Sequence, residues 1–478
     1  MLQATRVEKL SNIYSRWLPI ALTICAIGYY FWFLKQYALN IPFHDEIYDV
    51  LGFLSEVVEA DGGQSFLQIF FVKWNEHSTA ASRLLYYFTY RVQGELSFIT
   101  LVYLANISLL VFFALLYIRL RHNRYRWLIL LPVVFTLFHI RAYVTILWGM
   151  TAVSFFYVLV YGFCCLYCLH QVNHQRMLLA IFFAALATFT LASGQLIWLV
   201  GGLGLIQQVF ISKKISWVHL LFWVLAAAAV LLIWHSDSVG HPDLRFDNML
   251  NLTSSEAHAR GEAIAKAFEK PFFSALIIQF QFFLALLGSV VTGDNLLSAT
   301  ITGTVALVAL VYFVVFSYRD VDVRLELCGI YIVLTVAAIS YGRAEMLNLG
   351  PLSSFIIPEN SRYFIPSTML ICILWTRLLV ANRVRSVPVL YLVICLTGFH
   401  CVSAYFINSE SVKTYHDKRV KTFNKNVYHL MGFKRKKSAQ VVARAVELGI
   451  YKEPSRPLPM VGSGVVQQKK SSNKALKN

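Results

Sequence analysis

The sequence predicts an all-α protein, a polytopic bundle of helices that cross a membrane many times. The 478 residues are 58% hydrophobic and only 14% charged, whereas soluble proteins are about 25% charged. Apolar runs close to the roughly 20 residues that cross a bilayer recur along the chain. These runs lack the polar–apolar alternation of membrane β-strands, which argues against a β-barrel.

We assign about eleven spans from the apolar runs. The first, 18–36, has no small-residue cleavage site after it, so we expect a retained signal anchor. A twelfth stretch, 274–292, contains Gln279 and Gln281, which favours a re-entrant or interfacial helix over a crossing. The remaining spans are 97–118, 127–145, 151–169, 178–193, 195–211, 217–234, 298–317, 325–341, 363–380 and 388–407.

Lysines and arginines in the short loops predict the orientation of the bundle. They fall on one side only if 274–292 does not cross, which gives a cytoplasmic N-terminus and an external C-terminus. The large external loops are then 38–96, 235–273 and 342–362. The basic C-terminus argues for the opposite arrangement, in which 274–292 crosses and the tail is cytoplasmic.

The chain divides into a membrane unit, 1–407, a basic segment, 408–460, and a polar tail, 461–478, that we expect to be disordered. Residues 408–478 contain 16 Lys and Arg against 4 Asp and Glu. Such charge favours contact with anionic membrane lipid or glycolipid. Without aromatic interleaving or a binding motif, it does not favour nucleic acid. Helical patterns cover Asp45–Glu59, Ser78–Tyr90 and Ala439–Leu448.

Asp45 and Glu46 lie just past the first span and are the leading catalytic candidates. Acidic side chains are costly beside a bilayer, so an adjacent pair indicates a site. A carboxylate can act as a general base on a hydroxyl, and its charge favours an oxocarbenium-like transition state. The alternative is a charge that stabilises a helix N-terminus. We assign no cofactor; a divalent metal is conceivable, but the spacing of the acids does not support one.

A second group of candidates follows in the same loop. Glu76 is the third catalytic candidate, as an acid that orients the base or binds a sugar hydroxyl. Trp74, His77 and Arg83 are candidates for substrate binding, and the Trp74 ring could stack on a sugar. The alternative is a helix cap, with Asn75 or Ser78 as the N-cap.

Arginines beside the spans are candidates for binding a phosphate. Arg343 and Arg362 bracket the loop 342–362, and guanidinium groups bind phosphate oxygens in a bidentate fork. The alternative is that they reach the lipid head groups. Further substrate-binding candidates are Tyr363, Arg141 and Gln195. The alternative for Gln195 is a buried amide in a helical hairpin.

These residues and this architecture resemble the GT-C glycosyltransferases, integral membrane enzymes that use sugars linked to polyprenyl phosphate. Asp45-Glu46 is similar to the acidic pair in the first loop of the protein mannosyltransferases. The size and the external C-terminal segment look more like the bacterial and phage serotype-converting O-antigen glucosyltransferases. The resemblance in architecture extends over about residues 30–410, and the motifs that it rests on are short.

The resemblance implies transfer of one sugar, a hexose such as glucose, from a polyprenyl-phosphate donor to a glycan or lipid-linked oligosaccharide acceptor such as O-antigen. It implies a bacterial inner-membrane protein with a periplasmic site. Asp45 would be the base, Glu46 or Glu76 a helper, and Arg343 and Arg362 the phosphate clamp. An O-antigen polymerase or ligase, or a lipid-linked sugar transporter or flippase, remains as an alternative; a transporter would carry ionisable residues near the midplane.

Overall fold

The computed structural model describes most of the chain, and the account that follows concerns that part. The predicted loops 235–273 and 342–362 and the tail 461–478 lie almost entirely outside it. The described residues are 2–60, 66–74, 77–121, 123, 126–170, 172–211, 215–235, 272–290, 295–317, 323–342, 363–381, 387–425 and 435–461.

The prediction of an all-α protein is confirmed, with 17 α-helices in the described residues. The strands are two residues each, β1 (Lys73–Trp74) and β2 (His77–Ser78), paired antiparallel. The helices are α1 (Leu2–Tyr37), α2 (Phe53–Glu59), α3 (Phe66–Phe71), α4 (Ala80–Gln93), α5 (Phe98–Leu120), α6 (Arg126–Leu137), α7 (Tyr143–Ile146), α8 (Gly149–Leu169), α9 (His174–Thr188), α10 (Leu196–Ile206), α11 (Trp217–His235), α12 (Phe272–Gly288), α13 (Leu296–Ser317), α14 (Arg324–Gly342), α15 (Phe364–Val380), α16 (Val387–Asn424) and α17 (Arg435–Glu447).

The protein is a polytopic helical membrane protein, and in the described part of the chain eight helices are long and apolar enough to cross a bilayer. These eight match eight of the predicted spans. The predicted spans 127–145, 178–193 and 363–380 correspond to shorter apolar helices, α6, α9 and α15, and α12 is a fourth short one. α6 stops at Leu137 because the chain turns there into the loop before α7.

The outer surfaces of the long helices carry large apolar side chains. Phe399 and Phe406 on α16 are 74% and 76% exposed, and Leu232 on α11 is 70% exposed. Soluble proteins rarely leave contiguous apolar surface of this kind in water. These exposed apolar surfaces are suited to contact with the hydrocarbon core of a bilayer.

α12 and α13 form a closely packed helical pair. A Cβ at Gly303 would lie 1.8 Å from the Leu284 carbonyl oxygen, and one at Gly288 would lie 2.0 Å from that of Ala299. Glycine is required at both positions because the two backbones approach so closely. Small residues at helix contacts are typical of membrane bundles.

The first loop and the C-terminal segment pack together at one end of the bundle. α16 is 38 residues long, about 57 Å, so it extends well beyond a hydrocarbon core of about 30 Å. α17 then packs on a π-helical turn, Glu46–Gly52, where the hydroxyls of Tyr48 and Ser438 are 3.1 Å apart. The Tyr451 hydroxyl also donates to the Asn40 carbonyl at 2.7 Å.

These contacts put the described residues of the first loop and of the C-terminal segment on the same face of the bundle. The helix α16 continues without a break across the predicted boundary at 407. Whether this face is the external one stays a prediction.

Candidate active site

Glu46 joins the first loop to the start of α8. It is buried, at 1% exposure. Its Oε2 accepts a hydrogen bond from the Phe43 N–H at 2.8 Å, and its Oε1 accepts one from the Met150 N–H at 3.0 Å. Met150 is in the first turn of α8, where backbone N–H groups lack partners within the helix. Glu46 therefore caps α8 from a loop more than 100 residues away.

Gly149 makes this cap possible. A Cβ at this position would lie 2.9 Å from the Leu101 Cβ and 3.3 Å from the Glu46 Oε1. A larger residue would push the first turn of α8 away from both groups. The start of α8 is thus held between α5 and the acidic loop.

Burial raises the pKa of Glu46 to about 7. The positive charge of Arg419 and the two backbone N–H donors oppose this rise, while the neighbouring charge of Asp45 adds to it. Glu46 therefore changes protonation near neutral pH, unlike an ordinary surface glutamate.

Asp45 sits half-buried at a sharp turn of the chain. The preceding residue, His44, has a φ of 48°, in the left-handed region that few non-glycine residues adopt. The Asp45 carbonyl accepts from the N–H groups of Tyr48 and Asp49, but its carboxylate makes no capping hydrogen bond to the π-helical turn. Strained turns of this kind cluster at functional sites.

Aromatic rings surround this turn. The ring of Trp148 lies 5.4 Å from that of His44 and 5.2 Å from that of Phe43. Among the described residues, the buried indole N–H of Trp148 has no acceptor. Buried donors normally have one, so this N–H suits a hydrogen bond to a bound molecule.

Arg419, on the extension of α16, lies beneath the same loop. Its Nη2 donates to the Ile41 carbonyl at 2.8 Å and its Nη1 to the Leu147 carbonyl at 3.2 Å. Its guanidinium carbon lies 4.8 Å from the centre of the Phe43 ring. The side chain is buried, so it ties three distant segments together and brings a positive charge to the acidic pair.

Arg83 is buried within the first loop. Its Nε and Nη2 donate to the Asp49 Oδ1 at 3.0 and 2.6 Å, and its Nη1 donates to the carbonyls of Ile69, Phe70 and Val72. Burial raises the pKa of Asp49, and the charge of Arg83 opposes that rise. The predicted substrate-binding arginine thus holds the π-helical turn, α3 and α4 together.

Arg141 is buried in the connection between α6 and α7. Its Nη1 donates to the Val290 carbonyl at 3.2 Å, and its guanidinium carbon lies 4.9 Å from the Phe364 ring centre. Phe364 follows the predicted site residue Tyr363, which is also buried. Arg141 therefore contacts the residue next to Tyr363, and Trp148 lies in the following connection, between α7 and α8.

The comparisons with protein families, curated proteins and solved structures give no match to this chain. Fold alone does not define function, so the chemistry is argued from the residues of the site.

Gln195 is half-buried in a 3₁₀ turn, Ala192–Gln195. A Cβ at Gly194 would lie 1.9 Å from the Ala187 carbonyl oxygen, so the turn packs tightly on the end of α9. The next residue after α9, Phe189, accepts a hydrogen bond from the Ala81 N–H of α4 at 2.8 Å. The turn is therefore at the same end of the bundle as the first loop.

For several of the predicted site residues, the structure gives no side-chain position. Glu76, Arg343 and Arg362 lie outside the described residues, and only the backbone of Trp74 and His77 is described, in β1 and β2. Within the described ranges, no three His, Cys, Asp or Glu side chains are grouped as a metal site would need.

Arg419 and Asp49 are site residues that the sequence reasoning missed. A signal for Arg419 exists, because the buried side chains Val412, His416, Arg419 and Phe423 recur at helical spacing along α16. An arginine inside such an apolar stripe is unusual and indicates a buried partner.

Proposed function

We propose that this chain is a membrane glycosyltransferase that transfers one hexose, such as glucose, from a polyprenyl-phosphate donor to a surface glycan such as O-antigen. The observation that carries the proposal is the acidic turn at one end of the bundle. Glu46 is fixed there by the N–H groups of Phe43 and Met150, and Asp45 lies half-buried beside it.

In this mechanism Asp45 is the general base. Its carboxylate takes the proton of the acceptor hydroxyl while the hydroxyl oxygen forms a bond to the anomeric carbon of the sugar. The bond from that carbon to the phosphate oxygen breaks, and its electron pair leaves with the polyprenyl phosphate. Attack opposite the leaving group inverts the anomeric configuration. The negative charge of the acidic pair favours the oxocarbenium-like transition state.

Glu46 is a positioning residue in this proposal, because both of its oxygens accept backbone hydrogen bonds. It holds the turn that carries Asp45 against the first turn of α8. Arg419 supports the same turn through the Ile41 and Leu147 carbonyls. A base must be held within hydrogen-bond reach of the proton it takes, and a rigid turn supplies that.

The sugar and the phosphate fit different parts of the site. Trp148 offers an aromatic ring and an indole N–H, which suit a sugar face and a sugar hydroxyl. The buried guanidinium of Arg141 suits the charge that develops on the leaving phosphate. The assignment of Glu76, Arg343 and Arg362 to the donor rests on the sequence resemblance.

The location of the site at the external face rests on the charge of the short loops. The contacts of α12 support the same arrangement. The Gln279 carbonyl accepts from Ser340 at 3.2 Å, and the Val290 N–H donates to Ser367 at 3.3 Å. Ser340 and Ser367 lie near the ends of α14 and α15 that flank the loop 342–362. Both contacts therefore lie near the same face of the membrane, which favours an interfacial or re-entrant segment over a helix that crosses the bilayer.

The test is the mass of the surface polysaccharide released from cells that carry the wild-type protein, Asp45→Asn, Glu95→Gln or no protein. Glu95 is an exposed acid of the same loop and serves as the matched control. We expect one additional hexose per repeat with wild type and Glu95→Gln, and none with Asp45→Asn although it inserts normally. An unchanged product with Asp45→Asn removes Asp45 as the base. A change in chain length alone indicates a polymerase or ligase.

A further inference from the structure

The helix α4 connects the ends of two other helices on one face of the bundle. Near its N-terminal end, the Ala81 N–H donates to the Phe189 carbonyl at 2.8 Å, directly after the end of α9. At its C-terminal end, the Gln93 Nε2 donates to the Thr100 Oγ1 at 3.1 Å, in the first turn of α5. α5 and α8 begin on this face, and α9 returns to it after a short connection. With 14 residues, α4 is about 21 Å long, so it lies across the end of the bundle.

The side of α4 that packs against the protein is polar. The buried side chains on this side are those of Ser82, Arg83, Tyr86 and Thr89, each 4% exposed or less. The Arg83 Nη2 donates to the buried carboxylate of Asp49 at 2.6 Å. The surface helix of a soluble protein directs its polar residues to water instead.

The outer side of α4 carries an apolar stripe. Leu84, Phe88 and Val92 are 54%, 63% and 67% exposed. Their spacing of four residues places them one above the other on the helix surface. α4 is therefore inverted relative to a helix on a soluble protein, whose apolar stripe faces the core.

The surface next to this stripe belongs to a membrane span. α5 is long and apolar enough to cross a bilayer, and only residues 94–97 separate it from α4. Gly94, with a φ of 76°, allows the chain to turn between the two helices. The outer side chains Ile107 and Val111 of α5 are 43% and 40% exposed. α4 therefore lies at the edge of the hydrocarbon core, beside the lipid-facing surface of α5.

We infer that α4 is an interfacial helix, whose stripe of Leu84, Phe88 and Val92 is buried in lipid at the boundary between head groups and acyl chains. Amphipathic helices in this position lie in the membrane plane, with the apolar face about 5–10 Å into that boundary. Because Arg83 of α4 pairs with Asp49, the helix also fixes the first loop at the membrane surface. The inference does not depend on the proposed glycosyl transfer.

The test places a nitroxide label at Leu84, Phe88 or Val92 of the full chain, in nanodiscs of phosphatidylcholine and phosphatidylglycerol. The label is attached to p-acetylphenylalanine, because the chain has eight cysteines. Power-saturation EPR measures collisions with oxygen, which enters the hydrocarbon, and with a nickel chelate, which stays in water. A label at Val111 of α5 is the lipid reference, and one at the exposed Lys418, on the extension of α16, is the water reference.

We expect the three labels on α4 to resemble Val111, with frequent oxygen collisions and rare nickel collisions. Their depths should agree within about 5 Å, because a helix in the membrane plane keeps its stripe at one level. A helix along the bilayer normal would instead separate Leu84 from Val92 by about 12 Å, and that result would overturn the inference. Nickel collisions as frequent as at Lys418 would overturn it as well. Rare collisions with both reagents would do the same, because protein, either another segment or a second copy, would then cover the stripe.

Discussion

The Oε1 atom of Glu46 lies 3.0 Å from the backbone nitrogen of Met150, so an acid of the first loop caps a membrane helix. α8 begins after Trp148, whose side chain makes no cap. The first turn of α8 therefore obtains its acceptor from another part of the chain. This couples the geometry of the acidic turn to the helix bundle.

Glu46→Gln should remove a pH dependence of stability. Because the pKa of Glu46 in the folded protein is about 7, against an ordinary value of 4.5, protonation favours the folded state. That contribution is fully present below about pH 4.5 and is lost as the pH rises through 7, on the order of 3 kcal/mol. The measurement is the thermal midpoint in detergent between pH 5 and pH 8.

The Gln variant should be less stable overall, because its NH₂ group cannot accept from a backbone N–H. Its midpoint should nevertheless vary less with pH than that of wild type. Glu95→Gln, which changes an exposed acid, should keep the wild-type slope. A wild-type slope in Glu46→Gln would show that another group titrates.

Breaking the Asp49–Arg83 pair should destabilise the first loop strongly. Both side chains are buried, and removing one partner of a buried ion pair costs about 3–5 kcal/mol. Arg83→Met should therefore lower the thermal midpoint more than Arg91→Met, which changes an exposed arginine of the same helix. The double variant Asp49→Leu/Arg83→Met should be less unstable than the sum of its single changes. Additive losses would contradict a direct pairing.

Arg419→Gln should loosen the acidic turn and reduce the modification of glycan together with stability. The change removes two hydrogen bonds to carbonyls and the contact with the Phe43 ring, and hydrogen bonds from a charged donor contribute about 1.5–3 kcal/mol each. Limited proteolysis within 38–60 should become faster. Lys418→Gln, at the neighbouring position, should leave both the proteolysis rate and the glycan product at wild-type levels. Unchanged proteolysis in Arg419→Gln would mean that the loop does not depend on this side chain.

Gly303→Ala should disrupt the α12–α13 pair, because the new methyl group would lie 1.8 Å from the Leu284 carbonyl oxygen. We expect a lower thermal midpoint and less folded protein in the membrane. Gly28→Ala is the control, since a Cβ there meets nothing within 4 Å, and alanine favours a helix by about 1 kcal/mol over glycine. Similar behaviour of the two variants would argue against close packing of α12 on α13.

The local helices were predictable from the sequence. The pattern over Ala439–Leu448 corresponds to α17, and that over Ser78–Tyr90 to α4. The acidic pair was also singled out, since two carboxylates beside a bilayer are costly, and its role in catalysis stays a prediction. The contacts of the individual carboxylates were not predictable from the sequence, because nothing near Glu46 in the chain indicates that Met150 is its partner.

What the sequence by itself determined is the class of the protein and the approximate helices, because apolar runs and helical spacing are local properties of the chain. The tertiary structure decided which charges are buried and what they contact. Arg419 donates to the Ile41 carbonyl, which is 378 positions away in the sequence. Gly303 allows α12 to pack closely against α13, and the sequence around Gly303 does not specify this partner. Such pairings depend on how the helices pack, because burial makes an unpaired charge or a backbone clash costly only once distant segments meet.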